Sequence, residues 1–242
     1  MAILSSGSVK MTSLLEKTVA IIAPHRCIIC GNYNNILCDA CVSELTQNVP
    51  SCCVLCGTKT RDWRVCAGCA PGAHLTGVWA RLQYDDAVKE LVRRFKFDHV
   101  RAAYKPIATL IVRSLPSPLT GWTVVPVPTV ASHMRQRGYD HAHLVAKEVA
   151  RLTHLPYLQA LERTRNMRQV GATRQERAEV AESIALRRLP QNTRVLLIDD
   201  VCTTGATLKA CAALLHKAGA QEVRAAVAAW QPPMSEHEKR PR

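Results

Sequence analysis

One stretch near the C-terminal end of the chain, residues 195–208, constrains the fold most strongly: Val-Leu-Leu-Ile-Asp-Asp-Val-Cys-Thr-Thr-Gly-Ala-Thr-Leu. Its first four residues form an apolar run of the kind found in strands buried on both faces of a parallel sheet. Asp199 and Asp200 end that run, and a hydroxyl-rich turn with Gly205 at its centre follows. Residues 208–217 then repeat apolar side chains at helical spacing. The pattern predicts a strand, an acidic pair, a tight turn and a helix.

This predicted turn has the chemistry of a phosphate site. Its backbone N–H groups and the positive end of the following helix dipole would face a ligand above the sheet. The hydroxyls of Thr203, Thr204 and Thr207 can donate to phosphate oxygens. Asp199 and Asp200 can only accept hydrogen bonds, which suits sugar hydroxyls or hydrated Mg²⁺. We therefore expect phosphate at one end of the turn and a ribose diol at the other.

The same stretch resembles the signature of type I phosphoribosyltransferases, which bind 5-phosphoribosyl-1-pyrophosphate (PRPP) together with Mg²⁺. The resemblance implies that the acidic pair reaches the ribose 2- and 3-hydroxyls and that the Thr-Thr-Gly-x-Thr loop wraps the 5-phosphate. The alternative is a buried strand followed by an ordinary capped helix. The pattern indicates binding and identifies no catalytic residue. The predicted PRPP-binding residues are Asp199, Asp200, Val201, Cys202, Thr203, Thr204, Gly205, Ala206 and Thr207.

The cysteines are concentrated in a short N-terminal segment. Nine of the eleven lie in residues 27–69, mostly as C-x-x-C pairs, a pattern that favours zinc in a reducing cytosol over disulfides. Four such pairs predict two closed, structural Cys₄ sites with two Zn²⁺. Interleaved pairing, a redox dithiol, and Cys52 in place of Cys53 are the alternatives. With neighbouring pairs taken together, the predicted ligands are Cys27, Cys30, Cys38 and Cys41, then Cys53, Cys56, Cys66 and Cys69.

The rest of the chain predicts a second, larger domain. After a Pro-Gly-Ala linker come a strand over 78–84, a helix capped by Asp85 or Asp86, a buried strand over 122–127, a basic loop over 135–141 and a helix over 142–152. The fold class is α/β: a phosphoribosyltransferase-like, Rossmann-like, mostly parallel sheet with helices on both faces, preceded by a small cysteine-rich zinc-ribbon module. The predicted division is 1–13 disordered, 14–72 an N-terminal helix and double zinc ribbon, 75–231 the phosphoribosyltransferase-like domain, and 232–242 a disordered tail.

Four features together resemble the ComF/GntX family. They are the Cys₄ modules after a Pro-x-x-Cys start, the Phe-Lys-Phe at 95–97, the Pro-Val-Pro at 126–128 with a following Arg-Gly-Tyr, and the Asp-Asp loop. The resemblance covers about residues 14–230 and implies a role in natural competence or the use of external DNA. Two departures stand out: Asp140-His141 replaces the usual Asn-Gln, and Arg177-Ala-Glu-Val180 replaces Arg-x-x-Asn.

Basic residues supply candidate phosphate contacts. Residues 163–177 are rich in arginine and lack apolar periodicity, and the resemblance implies a hood over the active site there. The hood could clamp pyrophosphate or DNA phosphates; a solvated basic loop is the alternative. The candidate pyrophosphate or phosphate contacts are Lys96, Arg135, Arg137, Arg165 and Arg168.

The overall charge and hydropathy restrict the partners. A formal net charge of +13 favours polyanions such as nucleic acid or a polyphosphate substrate. No run of eighteen apolar residues occurs, so we expect no membrane span and a cytoplasmic protein. Expected partners are PRPP or a related phosphoribosyl ligand, single-stranded DNA, and competence or recombination proteins.

Three functions of different class follow from these patterns. The first is a competence or DNA-utilisation factor that retains PRPP binding and handles single-stranded DNA. The second is an authentic phosphoribosyltransferase acting on a nucleobase-type acceptor. The third is a PRPP-sensing scaffold without turnover. The first accounts for both the basic charge and the family resemblance, although the scattered aromatic residues are few for a general single-strand binder.

Overall fold

The structure is a computed structural model, which describes residues 26–33, 35–46, 50–80, 82–98, 100–164 and 183–232. The predicted N-terminal helix, the C-terminal tail and most of the arginine-rich segment lie outside these ranges. The helices are α1 (Asp39–Leu45), α2 (Asp86–Phe97), a 3₁₀ turn (Arg101–Ala103), α3 (Tyr104–Ser114), α4 (Ala131–Arg137), α5 (His141–Thr153) and α6 (Ala206–Lys217). The strands are β1 (Gly77–Trp79), β2 (Leu82–Gln83), β3 (Trp122–Pro126), β4 (Leu161–Arg163), β5 (Ile184–Leu186), β6 (Arg194–Cys202) and β7 (Glu222–Trp230).

A parallel sheet forms the centre of the larger domain. Its strand order is β1-β7-β6-β3, with β2 also pairing with β7, and every pairing in it is parallel. Strand β6 is held on both sides, with Leu196 opposite Val124 of β3 and Arg224 of β7. The apolar run 195–198 is fully buried, as expected for a strand covered on both faces. A two-stranded antiparallel ribbon, β4-β5, lies outside this sheet.

Helices cover both faces of the sheet. Helices α3 and α5 pack against each other, and α5 contacts β3 and β6. Helix α6 contacts β7 and β5. Asp200 faces His141 of α5, whereas Asp199 lies near Cys211 of α6, where its charge adds to burial in raising the pKa of that thiol. Because successive residues of a strand point to opposite faces, α5 and α6 lie on opposite faces. The predicted fold class is confirmed.

Helix boundaries follow local capping chemistry. The Asp85 side chain accepts from the Val88 N–H at 3.1 Å and so caps α2, whose buried face consists of Val88, Leu91, Val92 and Phe95. Asp140 caps α5 in the same way, accepting from the His143 N–H at 3.1 Å. Asp140 also accepts from the Thr129 hydroxyl at 2.8 Å, which ties the end of the β3 segment to α5. Asp140, which departs from the family pattern, therefore stabilises the start of α5.

One local prediction held only in part and another was wrong. The predicted single strand over 78–84 is divided into β1 and β2; Val78, Trp79 and Ala80 are all buried, and the expected alternation is seen only where Leu82 is buried and Gln83 is exposed. The predicted basic loop over 135–141 begins as helix, because Arg135 and Arg137 form the last turn of α4. That helix ends at Gly138, whose φ of 77° is the left-handed conformation that favours glycine.

The described ranges contain no helix with the length and apolar character needed to cross a membrane.

Candidate functional site

The two carboxylates of the acidic pair lie on β6 before its last two residues and have different surroundings. Asp200 is 3% exposed, and its two oxygens lie 2.8 and 2.7 Å from the Lys96 ammonium of α2. The His141 Nε2 atom lies 3.7 Å from Asp200 Oδ2. Burial acts to raise the pKa of Asp200, but Lys96 and His141 outweigh it, so the pKa lies below its ordinary value. Asp200 is therefore a charged, paired carboxylate.

The burial of Asp199 is less well compensated by nearby positive charge. Burial first and then the charge of Asp200 raise its pKa from an ordinary 3.8 to about 7. Its Oδ1 accepts from the Asp200 backbone N–H at 2.9 Å. Near neutral pH, then, the protein holds one fixed and one partly protonated carboxyl group at the end of β6.

Basic and aromatic side chains surround the Asp200 face. The Arg137 guanidinium lies 3.0 Å from His141 Nδ1 and 5.4 Å from the Phe97 ring centroid. Burial lowers the pKa of His141 to about 4, and the charges of Lys96 and Arg137 act in the same direction, although the Asp200 charge opposes them. This imidazole is therefore neutral at physiological pH. A cavity of about 550 Å³ opens beside Lys96, Arg137 and His141 and includes Tyr84 and Phe97 in its lining.

The turn after β6 has the geometry expected for an anion site. Gly205 is the N-cap of α6 with a φ of 71°, and its carbonyl accepts from the Lys209 N–H at 2.9 Å. Thr203 and Thr204 are exposed, and the first turn of α6 begins immediately after Gly205. This arrangement presents hydroxyls and the positive end of a twelve-residue helix at the carboxyl edge of the sheet. We call residues 203–207, which the sequence predicts to bind phosphate, the phosphate loop.

The structure brings together only some of the predicted phosphate contacts. Lys96 and Arg137 lie beside Asp200. The Lys96 ammonium is already paired with Asp200. Contact of either residue with pyrophosphate stays a prediction. Arg135 is exposed on α4. Arg165 and Arg168 lie outside the described residues.

Two further residues lie at the site: His141, which was not predicted to do so, and Arg163, which was predicted only as the first residue of the arginine-rich hood. His141 joins Asp199 and Asp200 in a cluster whose candidate ligand atoms lie within 4.8 Å of one another, which suits a divalent cation. Arg163 of β4 hydrogen bonds to the Pro128 carbonyl and the Ser183 hydroxyl, and interacts electrostatically with Asp199. The sequence signal for His141 was its place at the start of a helix that follows the β3 segment. The signal for Arg163 was its place in the arginine-rich segment 163–177.

The cysteines form two separate clusters. In each, the four sulfurs lie within 4.8 Å of one another: Cys27, Cys30, Cys38 and Cys41 form the first, and Cys53, Cys56, Cys66 and Cys69 the second. Between the two C-x-x-C pairs of a cluster, the Sγ atoms of Cys30 and Cys38 lie 3.6 Å apart, and those of Cys56 and Cys66 lie 3.5 Å apart. All the described cysteines are free of disulfides. Each cluster could hold one metal ion with four soft sulfur ligands, which fits structural zinc.

The thiols within each cluster differ in acidity. Backbone N–H donors to Cys27 outweigh its burial and lower its pKa to about 6, and the Thr58 hydroxyl and backbone lower that of Cys56 to about 6. Burial instead raises the pKa of Cys41, and raises that of Cys69 to about 12, so a metal ion would have to displace the protons of these thiols. Cys52 lies outside the cluster, and burial raises its pKa to about 11. Cys53 is thus the ligand that the geometry favours.

Comparison with known proteins agrees with this geometry. Residues 141–241 match the phosphoribosyl transferase domain family. Together with the parallel sheet and the strand-loop-helix site, this match defines a phosphoribosyltransferase-type domain, here preceded by two Cys₄ clusters.

The similar curated proteins are competence proteins. The chain is 28% identical to competence protein ComFC of Bacillus subtilis over 77% of this chain and 81% of that protein. It is 28% identical to competence protein F of Haemophilus influenzae, covering 82% of this chain and 94% of that protein. It is 25% identical to competence protein ComFC of Streptococcus pneumoniae, covering 82% of this chain and 97% of that protein. These similarities confirm the resemblance to the ComF family.

Among solved structures, the chain resembles that of the allosteric regulatory enzyme of purine biosynthesis. The TM-score is 0.37 with 20% identity, covering 52% of this chain and 25% of that one. A similarity at this level carries no information about function.

The cysteine clusters predict a metal content of two zinc ions per chain. Cys53→Ser should lower the content to about one because it removes a member of the second cluster, whereas Cys52→Ser should leave it unchanged. Elemental analysis of the purified protein measures this directly. One ion or none in the unmodified protein would reject the two-site arrangement.

The unequal carboxylates predict opposite effects on stability. Because the raised pKa of Asp199 means that folding opposes its ionisation, stability falls as pH rises from about 4 to about 7 and stays low above that range. Asp199→Asn should therefore stabilise the protein at pH 8 by about 2 kcal/mol, with a smaller gain at pH 5. Asp200→Asn should destabilise it at both pH values, by about 3 kcal/mol, because Lys96 loses its partner.

Urea denaturation at pH 5 and pH 8, without added Mg²⁺, measures both effects. Equal losses of stability in the two variants would show that the carboxylates share one environment, contrary to the geometry.

Proposed function

We propose that this protein binds PRPP with Mg²⁺ at the acidic pair and phosphate loop, and acts in the cytoplasm in natural competence by handling single-stranded DNA. The observation that carries the first part is the strand-loop-helix geometry at the end of β6. Asp199 and Asp200 supply acceptors for a ribose diol, while Thr203, Thr204 and the start of α6 supply donors for its 5-phosphate. Opposed acceptors and donors of this kind match a phosphorylated ribose better than free phosphate or a free sugar.

Mg²⁺ fits the same place. The cluster of His141, Asp199 and Asp200 offers two carboxylates to a cation, and hard oxygen ligands are those that Mg²⁺ prefers. When bound, the ion would neutralise charge on the pyrophosphate of PRPP. Lys96 would keep Asp200 ionised and in place, and Arg137 would add positive charge on the same side.

The competence role rests on two independent supports. Three similar proteins are named as competence proteins, and each is covered over at least 81% of its own length. The chain also carries a formal net charge of +13, which favours association with a nucleic-acid backbone. Two zinc ions in the Cys₄ clusters would have a structural role, and competence or recombination proteins are the expected protein partners.

A second candidate function is transfer of the phosphoribosyl group to a nucleobase-type acceptor. It is favoured by the cavity of about 550 Å³ beside Asp200, which combines the rings of Tyr84 and Phe97 with positive charge. In that reaction an acceptor nitrogen bonds to the anomeric carbon as the bond to pyrophosphate breaks. Pyrophosphate released from PRPP only when a nucleobase is added would establish this activity. A non-catalytic PRPP sensor would bind PRPP and release none.

PRPP binding predicts a ligand-dependent rise in melting temperature. With Mg²⁺ present and PRPP at a hundred times its Kd, the native state should gain about 2.7 kcal/mol. The double variant Asp199→Asn with Asp200→Asn should show no shift from its own baseline, because it lacks the charged ribose and Mg²⁺ acceptors. Glu222→Gln is the matched control, since Glu222 pairs with Arg194 at the opposite edge of the sheet. A full shift in the double variant would reject this site.

DNA binding predicts a strong dependence on salt. The affinity for a single-stranded oligonucleotide should fall with a log–log slope of roughly 0.7 per phosphate contacted. Replacing Arg165, Arg168 and Arg174 with alanine should flatten the slope and impair transformation; these three residues lie outside the described ranges. Replacing the exposed Lys105, Lys147 and Arg151 with alanine removes the same charge from α3 and α5 and is the control.

Fluorescence anisotropy over a salt series measures these slopes. If the first triple variant loses PRPP-dependent activity while its DNA slope is unchanged, those arginines serve an enzyme and the second candidate function is favoured.

A further inference from the structure

The two Cys₄ clusters begin with equivalent C-x-x-C turns that have different neighbours. The third residue of the first turn is Ile29, which is 42% exposed. The third residue of the second turn is Leu55, which is only partly exposed. The sequence therefore supplies a matched pair of apolar side chains, one facing solvent and one packed against another part of the protein.

Leu55 packs against the phosphate loop. A Cβ atom placed on Gly205 would lie 2.5 Å from Leu55 Cδ2, so the leucine methyl group already occupies the space a side chain would need. The same Cβ would lie 3.8 Å from the Cys202 sulfur, which is 2% exposed. Leu55 thus contacts the loop on its interior side, and the exposed Thr203 and Thr204 remain open to a ligand.

The second cysteine cluster determines where Leu55 lies. Leu55 sits between Cys53 and Cys56, and its backbone N–H donates to the Cys53 sulfur. The turn is closed by the Gly57 N–H, which donates to the Cys53 carbonyl at 2.7 Å. A metal ion bound by these sulfurs would hold the backbone at Leu55 through two adjacent ligands.

The second cluster is also anchored to the sheet at a separate point. The Trp63 carbonyl accepts from the Val78 N–H of β1 at 3.0 Å, and Arg64 bridges to Gly77. Asp62 pairs with the nearly buried Arg224 of β7 at 2.9 Å. With one anchor at β1 and β7 and the other at Gly205, the cluster cannot shift as a whole without losing these contacts.

We propose that Leu55 is a positioning residue for the phosphate loop, and that metal in the second Cys₄ cluster, but not in the first, keeps it in position. The proposal rests on the proposed function of that loop as the 5-phosphate site. A phosphate is bound best by backbone N–H groups that are already in place, because ordering them on binding subtracts from the affinity. Leu55 provides that support without touching the ligand.

The test compares Leu55→Ala with the matched control Ile29→Ala, using isothermal titration with PRPP and Mg²⁺. Leu55→Ala should weaken PRPP binding roughly threefold to tenfold, since the loop must then be ordered on binding. Ile29→Ala should bind as the unmodified protein does. Leu55→Met, which keeps the side-chain volume, should restore most of the affinity.

Hydrogen exchange of the loop amides at 203–207, without ligand, is the second measurement. Exchange should be faster in Leu55→Ala and in Cys56→Ser, and unchanged in Ile29→Ala and Cys30→Ser. If both binding and loop exchange are unaltered in Leu55→Ala, the proposal is overturned. If the unmodified protein does not bind PRPP, the proposed function fails, while loop exchange still decides whether Leu55 positions the loop.

Discussion

The burial of β6 between two parallel neighbours is the constraint on which the rest of this structure depends. Residues 195–198 are removed from water on both faces of the sheet. The pairing of β6 with β3 and β7 fixes the point at which the apolar run ends, and the acidic pair follows at that point. The hydrophobic effect that assembles the sheet therefore also places the carboxylates and the phosphate loop at its carboxyl edge.

The pleat of that strand gives the two adjacent carboxylates different chemistry. Asp200 faces α5 and meets Lys96 and His141, whereas Asp199 faces the side of α6. The ion pair compensates the burial of Asp200, and the Asp200 charge in turn makes ionisation of Asp199 harder. Two identical side chains thus form one permanent and one titratable acceptor, and a cation bound between them would favour the charged form of both.

The two cysteine clusters likewise have the same sequence pattern but different surroundings in the fold. Both clusters follow the same C-x-x-C pattern and both bring four sulfurs together. The first contacts the larger domain near α3, where Arg113 donates to the Ser43 hydroxyl. The second is joined to β1 and β7 and reaches the phosphate loop through Leu55. A module whose composition indicates only metal binding thereby packs against the loop at the carboxyl edge of the sheet.

The sequence by itself determined the fold class, the two cysteine clusters and the strand-loop-helix of residues 195–208, because each is encoded locally by apolar periodicity, by ligand spacing or by a glycine in a turn. It did not determine the contacts between distant segments. The pairing of Lys96 with Asp200, the addition of His141 to the acidic pair and the contact of Leu55 with Gly205 join residues that are far apart in the chain. The helix at Arg135 and Arg137 was also missed, since glycine and charge suggested a loop. Only the tertiary structure decided the three long-range contacts, because they depend on how the helices and the cysteine module pack on the sheet, which no local pattern specifies.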